Sequence, residues 1–310
     1  MKSTPLRIFL VYLLLCFIWG STWLAIRASL ESLTPFISGG SRFLLASIFI
    51  LTLMKLRGVS LQTDRESIRL YLLMGFLSFV IPFGLVYWAE QFVPSGLASV
   101  LFGVYPFFVA IFSFFRLPDE PIGKLKIVGM FSGFLGIVVI FSDSFTADLS
   151  NFLLGMIAVA LSGIIQAWIA VTLKKSGKHL NPLSMNFIPM LIAGVFGLMI
   201  GILVEDLSKL RFDETAIISV TYLAFFGSVI TFTSFYWLMK RINVVLLSLT
   251  AFITPIVALI LGWIFYNETL SEQHVIGSVM VLIGLLIANL GSVISKKLKL
   301  KNHSDLIFNT

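Results

Sequence analysis

The sequence predicts an all-α integral membrane protein, ten transmembrane helices folded as two inverted five-helix repeats. Three observations carry this. Hydrophobic residues make up 58% of the 310-residue chain and charged residues only 12%, against about a quarter in soluble domains, and mean hydropathy is +1.01. Ten apolar stretches reach the ~20 residues that cross a ~30 Å hydrocarbon core: 6–26, 35–54, 68–90, 95–116, 122–142, 151–173, 184–204, 215–239, 244–266 and 272–294. Finally, Phe76, Ile81, Phe83, Tyr87, Trp88, Leu97, Ser99 and Pro106 stand 149 residues before Phe225, Ile230, Phe232, Tyr236, Trp237, Leu246, Ser248 and Pro255. Five crossings are an odd number, so a second copy enters the membrane upside down. The repeats are placed at 1–147 and 148–296, followed by a basic cytoplasmic tail at 297–310.

The first span follows Lys2 and Arg7 but is too long for a signal peptide and has no small-residue cleavage site. It carries "WGSTW", placing Trp19, Ser21 and Thr22 about two-thirds of the way across. Cys16, the single cysteine, lies in the same span and reads as a small core hydrophobe rather than a metal or disulfide ligand. Span two opens at Pro35 and holds Arg42 seven residues on, roughly 10 Å into the membrane. At that depth the guanidinium can snorkel to the interface or pair with Glu90, at the outer end of span three, as a charge pair or gate. Span three also offers Tyr87 and Trp88, with Gln91 just beyond.

Span four contains Pro106, preceded by Tyr105, and span nine contains Pro255, preceded by Thr254. A helix-internal proline removes one backbone bond and frees the carbonyl four residues earlier, here those of Phe102 and Ala251. Such kinks are tolerated at depth where neighbours, water or a cavity satisfy them. Their matched positions suggest kinked helices lining a path. Span six presents Ser162 and Gln166 on one face, with Trp168 nearby. Gln166 is the strongest candidate, since a primary amide at midplane depth needs several partners. Span eight presents Ser228, Thr231 and Ser234 at spacings of three, then Trp237. Spans five and ten, with "GMFSGFLG" and "GSVMVLIGLL", offer glycine faces for close helix contact and read as scaffold.

Each polar residue also admits a plainer explanation. Hydroxyls bond to carbonyls one turn back, and aromatics near span ends anchor at the interface. Taken together, Trp19, Ser21, Thr22, Tyr87, Trp88, Gln91, Tyr105, Gln166, Trp168, Thr231, Ser234, Trp237 and Thr254 describe a substrate cavity of aromatic faces and neutral hydrogen-bonding groups.

The net charge of +7 is a topology signal rather than a nucleic-acid footprint. Eighteen of the 22 basic residues fall in the tails and even-numbered loops, whereas the opposite side holds Arg27, Lys209 and Arg211. The positive-inside rule then places both termini in the cytoplasm. Absences narrow the chemistry further. No Asp, Glu or His occupies the central third of any span, so metal ligation, carboxylate-pair catalysis and a midplane proton relay lack their parts. No cofactor or metal is expected. A facilitator or weakly coupled antiporter fits better than a carboxylate-driven proton exchanger.

"WGSTW" in span one, "SRFLLA" in span two, "SGLASVLFGVYPFFVAIF" in span four, and Glu120 and Glu268 before spans five and ten together resemble the drug/metabolite transporter superfamily, in particular an EamA-type member. The resemblance covers about residues 8–142 and 153–292. It implies a basket-like ten-helix fold whose pathway is lined by spans one, three, four, six, eight and nine. It also implies export of amino acids and related metabolites from the cell (plasma or inner) membrane by alternating access, with import of a vitamin or other nutrient as the alternative. Partners are the lipid bilayer and a small-molecule metabolite, not nucleic acid, and the oligomeric state is open between monomer and dimer. A membrane enzyme acting on lipid-linked substrates would need an interfacial cluster of His, Asp or Glu, where the loops hold only scattered acids such as Asp119, Glu120, Glu205 and Asp206. A scaffold or sensor would lack a solvent-accessible path.

Overall fold

The computed structural model describes residues 4–117, 124–142, 151–248, 250–284 and 286–287. Asp119 and Glu120, the predicted repeat boundary at 147 and 148, and the tail at 297–310 lie outside the described residues. Where no water reaches the peptide groups, a crossing segment must close its own hydrogen bonds, and the chain is helical accordingly. Among the described residues, eight helices are long and apolar enough to cross a membrane. They are α1 (Pro5–Ser29), α2 (Pro35–Leu56), α3 (Arg65–Ala89), α4 (Ser95–Arg116), α6 (Asn151–Ser176), α7 (Ser184–Val204), α8 (Glu214–Met239) and α9 (Val244–Tyr266). Helix α5 (Lys124–Ser142) and the helical residues 272–284, α10, complete the described elements together with a short 3₁₀ turn at Leu207–Lys209. Large apolar side chains such as Phe9, Phe17, Ile48, Phe114, Phe131, Ile202 and Trp263 point outward, as they do where lipid is the solvent.

Helix starts follow from local chemistry. Proline opens α1 and α2, where its missing N–H costs nothing. The Asp64 and Asp213 carboxylates cap α3 and α8, accepting from Ser67 N and Ala216 N at 3.0 Å each. Two other helices are capped from a distance. Glu205, at the end of α7, accepts from Phe36 N (2.9 Å) and Ile37 N (3.2 Å) at the start of α2. Glu268, after α9, accepts from Ser95 N (2.9 Å) and Gly96 N (3.0 Å) at the start of α4. Both carboxylates sit at the positive end of a helix dipole, so these acids tie helices together.

The same packing relations occur in both halves. Helix α1 packs on α8 and α9, as α6 packs on α3 and α4, while α2 and α7 pack on each other and on the middle of α8 and α3 respectively. Gly40 faces Gly197 and Leu198 while Gly194 faces Leu44, so contacts climb α2 as they descend α7 and the two helices run antiparallel. Helices α5 and α10 also meet antiparallel through glycines, Gly136 against Gly277 and Val281, Gly133 against Gly284.

Helices α3 and α8 each contain a π-helical segment, Gly75–Val80 and Phe225–Ile230, beginning 150 residues apart. Sequence reasoning did not anticipate these. It also misplaced the break in span four. Helix α4 is interrupted at Phe102 and Gly103, and Pro106 lies in the first turn of the second segment, Val104–Arg116, where its missing N–H is harmless. The Phe102 carbonyl is not freed but accepts from Tyr105 N at 2.9 Å. Pro255 lies inside the helical segment Thr250–Tyr266 of α9, which follows Val244–Ser248.

Candidate functional site

Helices α1, α2, α3, α4, α6, α8 and α9 enclose a cavity with about 100 Å³ of room for water centres, enough for several waters at ~10–15 Å³ each. One wall comes from α1 (Trp19, Thr22, Trp23, Ile26), the next from α3 and α4 (Ser78, Phe83, Val86, Phe102, Tyr105). The opposite side comes from α6 (Gln166, Ile169, Ala170, Leu173), α8 (Phe232, Phe235, Tyr236) and α9 (Thr250, Ala251, Thr254), with Arg42 of α2 completing it. The aromatic walls hold one another in place. Trp19 packs on Phe232 and Phe235 at 5.4 and 5.3 Å, Trp23 on Phe102 at 5.7 Å, and Phe102 stacks on Tyr105 at 5.6 Å. A second chamber, with about 280 Å³ of such room, shares Leu173 and Tyr236 with the first and is lined by Lys174, Lys178 and Lys240.

The π-helical segment of α8 shapes the polar side of the cavity. A widened turn brings side chains to carbonyls five residues back, and such segments concentrate at functional sites. Here Ser228 Oγ donates to Leu223 O at 2.9 Å, and Gly227 O accepts from Thr231 Oγ1 at 2.8 Å. Arg42, 1% exposed, reaches this segment from α2. Its Nε donates to Ser228 Oγ and its Nη2 to Gly227 O, each at 2.9 Å, while Nη1 lies 3.4 Å from Tyr87 Oη. The Phe43 and Phe83 rings flank the guanidinium at 5.0 Å each.

The predicted Arg42–Glu90 pair is therefore corrected. Arg42 does not snorkel, because Ser228 and Gly227 satisfy it within the protein. Glu90 is fully buried, and among the described residues neither of its carboxylate oxygens has a hydrogen-bond partner. Its backbone carbonyl instead accepts from Arg27 Nη1 at 2.6 Å. In the second half Lys174 Nζ does the same for α8, donating to Met239 O and Ile242 O at 2.6 Å each, and Met239 is the residue that the 149-residue offset sets against Glu90.

Of the predicted cavity residues, Trp19, Thr22, Tyr105, Gln166 and Thr254 line it. The others do not. Ser21 bonds to Tyr222 Oη (2.6 Å) and Ile18 O (2.8 Å), Thr231 is committed to Gly227 O, and half-buried Ser234 stays outside the wall. Tyr87 is buried behind Arg42. Trp88 packs on Phe92 at 5.3 Å, and exposed Gln91 bonds to Trp88 O. Trp168 and Trp237 serve cations at helix ends, with Arg116 5.3 Å over Trp168 and Arg7 and Arg241 5.5 and 4.0 Å over Trp237. Sequence reasoning missed Trp23, Phe83, Phe102, Phe232 and Tyr236. The 149-residue match held a signal for three of them, since Phe83, Phe232 and Tyr236 are matched positions.

Comparison with known proteins agrees with this architecture. The sequence profile of the EamA-like transporter family matches twice, over residues 6–142 and 153–290. The uncharacterized inner membrane transporter YedA of Escherichia coli (strain K12) is 34% identical over 280 residues, covering 88% of each chain. The uncharacterized transporter YoaV of Bacillus subtilis is 24% identical over 268 residues, 86% of this chain and 91% of that one. Protein PagO of Salmonella typhimurium is 26% identical over 276 residues, 89% and 90%. One solved crystal structure superposes with a TM-score of 0.71 at 18% identity, covering 91% of this chain and 97% of the other, a likeness of fold alone.

Proposed function

The chain belongs to the EamA-like transporter family, and from that premise we propose that it exports amino acids or related small metabolites by alternating access of two inverted repeats, residues 1–147 and 148–296. The observation that carries the reading is the cavity, whose wall is built by helices of both halves. A site at the repeat interface becomes exposed to one side or the other as the halves rock. Inversion is supported by the antiparallel pairing of α2 with its counterpart α7 and of α5 with α10, because a two-fold axis in the membrane plane turns one copy head over tail. Duplication is supported by the double family match, the two π-helical segments and the two basic caps, Arg27 on α3 and Lys174 on α8. With α5 and α10 also crossing, the fold has ten spans.

Both termini lie in the cytoplasm on this reading, by the positive-inside rule. The lysine-lined chamber then opens on the cytoplasmic side, the side from which an exporter loads. Trp19, Thr22, Tyr105, Gln166 and Thr254 contact the substrate. Counterflow in proteoliposomes against labelled amino acids, vitamins and nucleotide sugars tests the proposal. Exchange of amino acids is expected. Exchange of no class would refute transport of this kind, exchange of vitamins alone would overturn the substrate class, and net uptake into right-side-out vesicles would overturn the direction.

A further inference from the structure

We propose that Arg42 is the docking point for a single carboxylate on the transported molecule, an inference that rests on the cavity being the transport site. Arg42 lines the cavity yet is 1% exposed, and its guanidinium is a cation. The cavity therefore holds a positive charge. Its partners are all neutral: a serine hydroxyl, a backbone carbonyl, a tyrosine hydroxyl and two phenylalanine rings. Among the described residues the only ion pair joins Lys209 to Asp206 at the surface. The nearby carboxyl of Glu90 makes no bond to Arg42 or to anything else described. A buried charge left with dipoles alone is costly, and a counter-charge brought into the same low-dielectric space gains most of its strength there.

The donor count leaves room for such a counter-charge. A guanidinium has five N–H groups, three of which meet Ser228, Gly227 and Tyr87. Two remain for a carboxylate, the ligand whose planar pair of oxygens arginine recognises best. The π-helical turn of α8 holds the guanidinium in place before any ligand arrives, so little ordering cost falls on binding. Among the described residues no second cation lines this cavity, which selects a monocarboxylate over a phosphate ester or a polyanion, and a cationic amine without a carboxylate is repelled. The aromatic wall, Trp19 and Phe232 among it, takes an apolar remainder. Lys174, Lys178 and Lys240 around the adjoining chamber raise the local concentration of anions at its mouth.

The test compares phenylacetate with phenylacetamide, equal in shape and different in charge, by equilibrium binding to the purified full-length protein in detergent. The carboxylate is expected to bind roughly tenfold to a hundredfold more tightly than the amide, the ratio that hydrogen bonds to a charged group supply. In Arg42→Gln the preference should fall to near unity, in Arg42→Lys it should persist in part, and in Lys209→Gln, a cation at the surface and outside the cavity wall, it should remain. Equal binding of acid and amide by the wild-type protein, or binding of neither, overturns the proposal without any variant having to fold. An undiminished preference in Arg42→Gln overturns it too, leaving Arg42 as a strut between α2 and α8. A carboxylate preference without counterflow would refute transport but leave the docking point, whereas counterflow that ignores the carboxylate would do the reverse.

Discussion

Replacing Gly40 by alanine should disrupt the seam between the two halves, while the same change at Gly39, one residue earlier, should not. A Cβ on Gly40 would lie 2.6 Å from Leu198 N and 3.0 Å from the Gly197 carbonyl carbon, whereas one on Gly39 would meet the Tyr87 ring at 3.5 Å, an ordinary contact. Relieving the Gly40 clash to an ordinary 3.4 Å requires α2 and α7 to part by about 0.8 Å there, the difference between 3.4 and 2.6 Å. Backbone atoms cannot rotate away, and both helices are also held by the Glu205 cap. Overpacking of this kind costs about 1–3 kcal/mol, or about 5–150-fold in the unfolding equilibrium. Unfolding in mixed micelles by SDS titration, followed by circular dichroism, measures it. Equal midpoints for Gly39→Ala and Gly40→Ala would refute the proposed close contact, since the two positions differ only in what their Cβ atoms would strike.

Three further outcomes follow from the same geometry. Ser228→Ala removes an acceptor from a buried, charged donor 2.9 Å away and should cost about 1.5–3 kcal/mol in the same titration; an unchanged midpoint would mean that Arg42 finds another partner. Glu90→Gln should leave the midpoint unchanged or raise it, because both carboxylate oxygens are buried without partners among the described residues, and a clear loss would reveal a bond to a group outside that set. Asp64, which caps α3 at its aqueous end, is held below the usual carboxylate range by the Ser67 hydroxyl first and the Ser67 amide next. A lowered folded-state pKa stabilises above the ordinary aspartate value and is lost as pH falls through the lowered one. Amide exchange over residues 65–68, corrected for intrinsic rates, should therefore quicken as pH drops below about 4, and a flat wild-type profile through that range would count against the cap.

The candidate site was half legible, and individual residues show why. Trp19, Thr22, Tyr105, Gln166 and Thr254 were found because depth along a span can be counted from its ends, and mid-depth polar or aromatic groups are costly enough to be informative. Trp168 and Trp237 were misread because depth does not say which way a helix face turns. Both rings face cations at helix ends, a neighbour relation that exists only once α4, α6 and α8 are packed. Arg42 was assigned a carboxylate partner by charge alone, whereas the nearest suitable acceptors proved to be a carbonyl and a hydroxyl on α8.

Composition and length alone determined that this chain lives in lipid as apolar helices, since twenty apolar residues in a row have no other stable arrangement in water or membrane. The matched residues 149 apart likewise raised the expectation of a duplicated chain. Only the tertiary structure decided where α4 breaks, where α3 and α8 widen into π-helical turns, and what receives the Arg42 charge. Those outcomes depend on atoms brought together from distant parts of the chain, such as Gly227 beside Thr22 and Arg42, and contacts of that range leave no periodic trace in the sequence.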